Sequence, residues 1–142
     1  MFSMTRVRLA VLFLIAAALL AGTPALAAPQ RTKASGTALL KPPATSDEPK
    51  ASGRATFTGL WLRDPQMGWY VFGDLTVTCG GLTPGATYRT SAGSFTASTT
   101  GTGTATVTGI YPPSNISVAR EETQADGSVE IIVVLEGTLK VH

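Results

Sequence analysis

The sequence predicts an all-β fold, an antiparallel β-sandwich of about seven or eight short strands that follows a signal peptide and a flexible leader. Three observations lead to this prediction. From residue 53 onward, apolar and polar residues alternate with a period of two. Glycines and prolines interrupt the alternation at intervals of about ten residues. No segment after residue 27 carries the i, i+3, i+4 apolar stripe of a helix, so the helical crossovers of a parallel sheet are missing.

The first 27 residues have the three parts of a secretory signal peptide. Arg6 and Arg8 give a basic start, residues 9–21 are an uninterrupted apolar run, and residues 25–27 (Ala-Leu-Ala) form a cleavage site. As a helix the apolar run would rise about 20 Å, which is too short for a hydrocarbon core of roughly 30 Å. We therefore expect cleavage near Ala27, no membrane span in the mature chain, and a periplasmic or extracellular location.

The basic character of the chain belongs to this signal. The formal net charge is +2, from 11 Lys and Arg against 9 Asp and Glu, and Arg6 and Arg8 account for the whole excess. A neutral mature chain has no basic surface for nucleic acid. We expect its partner to be a protein or a polysaccharide at the cell surface or outside the cell.

Residues 28–52 are predicted to be a flexible leader, because they are rich in proline and in charged side chains. One short match interrupts this composition: residues 33–36 (Lys-Ala-Ser-Gly) recur as residues 50–53, and an apolar-containing run follows each copy. Gly36 to Leu40 is therefore a candidate for a first edge strand. The sandwich domain is predicted to span residues 53–142.

The strands of this domain are read from the alternation and from the turn residues between them. The candidate strands are residues 54–59, 69–72, 74–79, 95–97, 104–108, 116–118 and 129–135. Candidate turns are Gly80-Gly81, Pro84-Gly85, Gly101, Gly103, Pro112-Pro113 and Asp126-Gly127.

The last two strands form the best-defined hairpin, in which Asn115–Arg120 pairs with Ser128–Leu135 and Asp126-Gly127 makes the turn. The odd-numbered residues from Val129 to Leu135 fit the core-facing side of the second strand. Ile132 and Val134 then point the other way, toward a second layer or a partner. This run favours a central strand covered on both faces; if only one face of the sheet is covered, the two residues would start an exposed apolar patch.

Residues 81–88 (Gly-Leu-Thr-Pro-Gly-Ala-Thr-Tyr) carry a resemblance. They resemble the G-L-x-P-G-x-x-Y turn of fibronectin type III and related immunoglobulin-like modules. The resemblance implies that Leu82 plugs the core, that Pro84-Gly85 turns the chain, and that the Tyr88 hydroxyl bonds back to the backbone as a tyrosine corner. It also implies a binding or spacing role without catalysis.

The sequence offers little support for catalysis, a metal or a cofactor. Cys79 continues the alternation of Leu75 and Val77, which predicts a buried thiol, and the one histidine, His142, is the last residue. Two weaker alternatives remain: a calcium site formed by Glu121, Glu122 and Asp126, and a pair of hydrolytic carboxylates, Asp64 with Asp74. We expect no cofactor and no enzymatic activity.

Aromatic residues are the most promising functional feature. The candidate ligand-binding residues are Trp61, Trp69, Tyr70 and Tyr111, with Phe72 nearby. Trp61 and Trp69 share parity and would face the same side of a hairpin, either as core residues or as a surface platform. We expect a secreted binding or envelope-structural module. The alternative is a carbohydrate-binding module that uses these aromatics.

Threonine is unusually frequent on the predicted strands. Thr102, Thr104, Thr106 and Thr108 form a ladder on one face, echoed by Thr56 with Thr58 and by Thr76 with Thr78. Threonine is a good polar residue for a solvent-facing strand, although a flat threonine array also organises water or ice.

Overall fold

The computed structural model describes residues 31–142. The predicted signal peptide and the first residues of the predicted leader lie outside the described residues. Eight strands are present in this part of the chain: β1 (Arg31–Leu40), β2 (Ser52–Asp64), β3 (Gly68–Gly80), β4 (Thr87–Thr90), β5 (Gly93–Thr96), β6 (Gly103–Ile110), β7 (Asn115–Thr123) and β8 (Val129–Thr138).

The strands form two four-stranded antiparallel sheets. Sheet 1 has the order β1-β2-β3-β6, and sheet 2 has the order β5-β4-β7-β8. The sheets enclose one apolar core, so the predicted all-β sandwich is confirmed.

The core is built from alternate residues of each strand, as the period-two pattern requires. Sheet 1 contributes Phe57, Leu75 and Val77, and sheet 2 contributes Tyr88 and Val118. Many of the other buried positions are alanines. At Gly73 a Cβ would come within 2.9 Å of the Phe57 ring and 2.3 Å of the Thr58 carbonyl oxygen, so this glycine gives the Phe57 ring its space.

The start of the folded domain differs from the sequence prediction. Residues 31–40 are not leader but β1, the edge strand of sheet 1, which pairs with β2 along its whole length. Its buried residues are Ala34, Gly36, Ala38 and Leu40. Three of these side chains are small, so the alternation has little hydrophobic contrast and reads as a polar leader. The candidate edge strand at Gly36–Leu40 is present, within a longer strand.

The prediction for the last strand was wrong. β8 is an edge strand of sheet 2 and not a central one. Val129, Ile131 and Val133 are 52%, 45% and 41% exposed, whereas Val134 and Leu135 are fully buried. The register between β7 and β8 shifts between Val118 and Ala119, where Val134 is inserted as a bulge. One extra residue exchanges the two faces of the strand beyond it, and period-two reading does not detect it.

The chain covers parts of its own sheet edges. Lys41 and Glu136 exchange two backbone hydrogen bonds (3.0 and 2.9 Å), which attaches the end of β1 to β8. The C-terminal residue returns to β1, where His142 and Ser35 exchange two more. Between Arg31 and His142 there is no helix with the length and apolarity that a membrane crossing requires.

Candidate functional site

The four predicted ligand-binding residues do not form one surface. In the β2–β3 hairpin, Trp61 lies opposite Val71, and Arg63 lies opposite Trp69, all on the core-facing side. Tyr70 lies opposite Leu62 on the other side, with Tyr111. The pattern placed the two tryptophans on the same face correctly, but Tyr70 is on the opposite face of the sheet.

The tryptophans have different environments. Trp61 is half-buried and packs against the core, whereas Trp69, next to the hairpin turn, is 49% exposed. Of the two predicted alternatives, Trp61 is thus a core residue and Trp69 is a surface residue.

The larger exposed cluster lies on the outer face of sheet 1, near the same turn. We call it the aromatic patch; its members are Leu60, Leu62, Tyr70, Phe72 and Tyr111. The Tyr111 ring lies edge-on to Phe72, with centroids 5.3 Å apart, and edge-on to Tyr70 at 6.5 Å. Tyr111 is 61% exposed and Phe72 is 39% exposed. Large apolar side chains grouped on a protein surface mark interaction sites.

The two aspartates near these aromatics do not converge. Oδ1 of Asp64 accepts hydrogen bonds from the backbone N–H groups of Gln66 (2.7 Å) and Met67 (3.0 Å), so this carboxylate stabilises the hairpin turn. Asp74 lies opposite Thr58 and accepts a bond from the Gly109 N–H at 3.2 Å. The six residues from Thr58 to Asp64 span about 20 Å of strand, well beyond the separation in a glycosidase pair.

The acidic hairpin loop does not gather its carboxylates either. Glu121 is paired with Arg89, Glu122 with Arg120 (2.8 Å), and Asp126 accepts hydrogen bonds from Ser128. Each carboxylate thus has its own partner. Residues 31–142 contain no cluster of three or more His, Cys, Asp or Glu side chains that would hold a metal ion.

The Gly81–Tyr88 turn has the geometry that the resemblance implied. The Tyr88 hydroxyl accepts a hydrogen bond from the Thr83 backbone N–H at 2.9 Å, which is the tyrosine-corner contact. Leu82 is buried, and Gly85 has a φ of 78°, a conformation that favours glycine in this turn.

The Tyr88 hydroxyl also belongs to a buried polar network that the sequence did not reveal. It donates a hydrogen bond to Oε1 of Glu48 (2.8 Å), and the Thr83 hydroxyl donates to the same oxygen at 2.7 Å. Oε2 of Glu48 accepts from Nη1 of Arg120 at 2.6 Å, and Nη2 of Arg120 donates to Asp47 at 2.6 Å. We call Asp47, Glu48, Thr83, Tyr88 and Arg120 the Glu48–Arg120 network.

The network stabilises its charged forms. Burial alone would raise the pKa of Glu48. The hydrogen bonds from Thr83, Tyr88 and Arg120 outweigh this effect, so the pKa lies below its ordinary value of 4.5. Burial and the bond to Glu48 raise the Tyr88 pKa above 10.0. Hydrogen bonding to Asp47, and then to Glu122 and Glu48, raises the pKa of Arg120. This network attaches the β1–β2 loop to sheet 2.

The Cys79 thiol is buried in the core, as predicted. Burial raises its pKa from 9.0 to about 11, so the thiol is protonated at neutral pH. A protonated, enclosed thiol is a poor nucleophile and a poor metal ligand.

Two sets of important residues were missed from the sequence. Phe72 and the leucines of the aromatic patch were not proposed as site residues, although Phe72 has the parity of Tyr70 and that signal was available. Glu48 and Arg120 are 72 positions apart, and neither has a local motif that would link them.

No family model matches the chain, and neither the curated proteins nor the solved structures include one that is significantly similar to it.

Proposed function

We propose that this chain is an exported, non-catalytic binding module that contacts its partner through the aromatic patch. The observation that carries the proposal is the exposure of Phe72 and Tyr111 on an open sheet face. Folding alone would favour hiding such rings, and interaction surfaces are rich in them. Export rests on the signal-peptide pattern of residues 1–27.

We propose a function without catalysis because each candidate carboxylate already has a structural partner. Asp64 accepts hydrogen bonds within a turn, Asp74 accepts one from the Gly109 N–H, and Glu48 is neutralised by Arg120. The tyrosine-corner geometry at Tyr88 also favours a fibronectin-like or immunoglobulin-like sandwich, a class that binds or spaces. If the partner is a fixed component of the cell surface, the same binding would give the chain an envelope-structural role.

The test is co-sedimentation of the purified chain from residue 28 with envelope and secreted fractions of the source organism. We expect the wild-type chain to be retained and Tyr111→Ser to lose at least about tenfold in affinity, because an exposed ring in a contact surface contributes about 1–3 kcal/mol. Val133→Ser is the matched control, since Val133 is an exposed apolar residue on sheet 2. Equal retention of Tyr111→Ser and the wild type would refute the proposal, as would turnover of a substrate that depends on Asp64 or Asp74.

A further inference from the structure

Threonines on the outer face of sheet 1 line up across all four strands. Thr37 lies opposite Thr56 in the β1–β2 pairing. Thr56 lies opposite Thr76, and Thr76 lies opposite Thr106. We call these four residues the threonine row. Only the strand register reveals it, because the first and last members are far apart in the chain.

Further hydroxyl side chains flank the row on the same face: Ser35, Thr58, Thr78 and Thr104. Most of these side chains are exposed, and the Thr76 and Thr106 hydroxyls lie 3.1 Å apart. Strand geometry spaces neighbouring members by about 4.8 Å across the sheet and about 6.7 Å along a strand. The face is therefore a regular array of groups that both donate and accept hydrogen bonds.

The hydroxyl array is continuous with the aromatic patch. Phe72 and Thr78 lie on the same face of β3, and the strand between them spans about 20 Å. Among the side chains that the structure describes on this face, charges are few and mixed in sign: Lys33 and Arg54 are the cations, Asp74 lies between the two halves, and Asp64 lies at the hairpin turn. Binding to nucleic acid needs a clear positive excess, and a protein-binding surface is usually poor in serine and rich in apolar core residues.

Apolar rings next to rows of hydroxyls match the chemistry of a sugar chain. A pyranose presents C–H groups on its ring faces and hydroxyl groups around its edge. The rings of the aromatic patch can stack against the C–H faces of a sugar, and the threonine row can form hydrogen bonds with its hydroxyl groups. A surface with little charge suits a polymer without charge.

We propose that the outer face of sheet 1 binds an extended neutral polysaccharide, with the chain running from the aromatic patch across the threonine row. This inference names the ligand class of the proposed binding function and rests on it. It assigns carbohydrate binding to Phe72, Tyr111 and the threonines, and not to the two tryptophans.

Cross-strand threonine pairs also stabilise sheets, so the experiment separates binding from folding. The variant is the double substitution Thr56→Val and Thr78→Val on the two central strands of sheet 1. Valine keeps the β-branched shape and strand preference of threonine but has no hydroxyl. The control is Thr96→Val with Thr123→Val, two exposed threonines on sheet 2.

The probes are microcrystalline cellulose, insoluble β-1,3-glucan and chitin as neutral polymers, with alginate beads as the anionic comparison. We expect retention of the wild-type chain on at least one neutral polymer, weaker retention on alginate, and about tenfold weaker binding by the double variant. Each lost hydrogen bond accounts for roughly a factor of two to ten. Thermal unfolding of both double variants checks that the fold is intact.

Two outcomes would overturn the inference. The first is retention that is equal on alginate, or that is unchanged in the Thr56→Val and Thr78→Val variant. The second is no retention on any of the neutral polymers. If Tyr111→Ser still loses binding to the envelope fraction, the proposed function stands and only the ligand class is wrong. If Tyr111→Ser binds the envelope fraction as well as the wild type does, both proposals fail.

Discussion

The two ends of sheet 1 are built on opposite principles. At one end, which we call the closed end, the β1–β2 loop carries Glu48 into a buried pair with Arg120. At the other, the open end, the β2–β3 turn leads into the aromatic patch, whose rings meet solvent. At the closed end, charged side chains are buried and paired with each other. At the open end, aromatic side chains that could be buried are exposed to solvent. We infer that the closed end holds the sandwich together, whereas the open end is the surface that we propose for the partner.

The closed end connects the two sheets through polar contacts, which add to the packing of a core with many alanines. A chain with one cysteine has no internal disulfide, so a tie between the two sheets has to come from packing or polar contacts. The Glu48–Arg120 network makes this tie, and residues 31–142 contain no buried side-chain polar atom without a hydrogen-bond partner. Such a network is costly to interrupt because each member depends on the others.

The largest expected effect follows from breaking this tie. Arg120→Ala leaves the Glu48 carboxylate buried without its cation, and we expect a loss of about 3–5 kcal/mol in the free energy of unfolding. The control is Arg89→Ala, which removes the exposed pair with Glu121 and should cost less than about 1 kcal/mol. Urea denaturation measures both. Similar losses in the two variants would show that the network is not the tie we describe.

The next effect concerns pH. The pKa of Cys79 is raised from 9.0 to about 11, so its contribution to stability is complete below pH 9 and is lost as the pH rises through 11. Two pKa units correspond to about 2–3 kcal/mol. Between pH 8 and pH 11.5 the wild-type chain should therefore lose that much more stability than Cys79→Ala. Parallel pH profiles for the two proteins would contradict the burial of the thiol.

At acid pH the direction is reversed. The lowered pKa values of Glu48 and Asp47 contribute stability that is present above their ordinary pKa values and is lost as the pH falls through the folded values. Tyr88→Phe, which removes one donor to Glu48, should destabilise the chain by about 1–2 kcal/mol at pH 7. That difference should shrink below pH 4. A difference that grows on acidification would contradict the assigned hydrogen bond.

An effect of similar size tests the bulge in β8 with two neighbouring residues and the same substitution. Val134→Thr places a hydroxyl in the core and should cost about 1–3 kcal/mol. Val133→Thr replaces an exposed valine and should change stability by less than about 0.5 kcal/mol. In the observed edge strand, a register without the bulge would exchange the faces of Val133 and Val134 and give the reverse order, so the pair decides between the two registers.

The sequence predicted those parts of the molecule that depend on local alternation. The sandwich, the hairpin turn at Gly127 and the burial of Cys79 follow from residues a few positions apart, and the Tyr88 corner follows from the resemblance of residues 81–88. Two kinds of feature did not. A bulge at Val134 exchanges faces without any change in composition, and β1 hides its core face behind alanine and glycine.

The candidate site was predicted less completely, for a related reason. Parity alone separates Trp69 from Tyr70, but it cannot say which face is covered by a second sheet. Tyr111 joins Tyr70 and Phe72 only through the pairing of β3 with β6, and the threonine row exists only through three strand registers. Contacts of this kind are set by tertiary structure, which local sequence does not encode.

We propose that the open end serves binding and contributes little to folding. The most direct test measures the free energy of unfolding of Tyr111→Ser on the same preparation whose envelope retention is measured. We predict a change of less than about 1 kcal/mol together with a loss of retention of at least about tenfold. A loss of about 3 kcal/mol or more with retention unchanged would mean that Tyr111 serves the fold and not a partner.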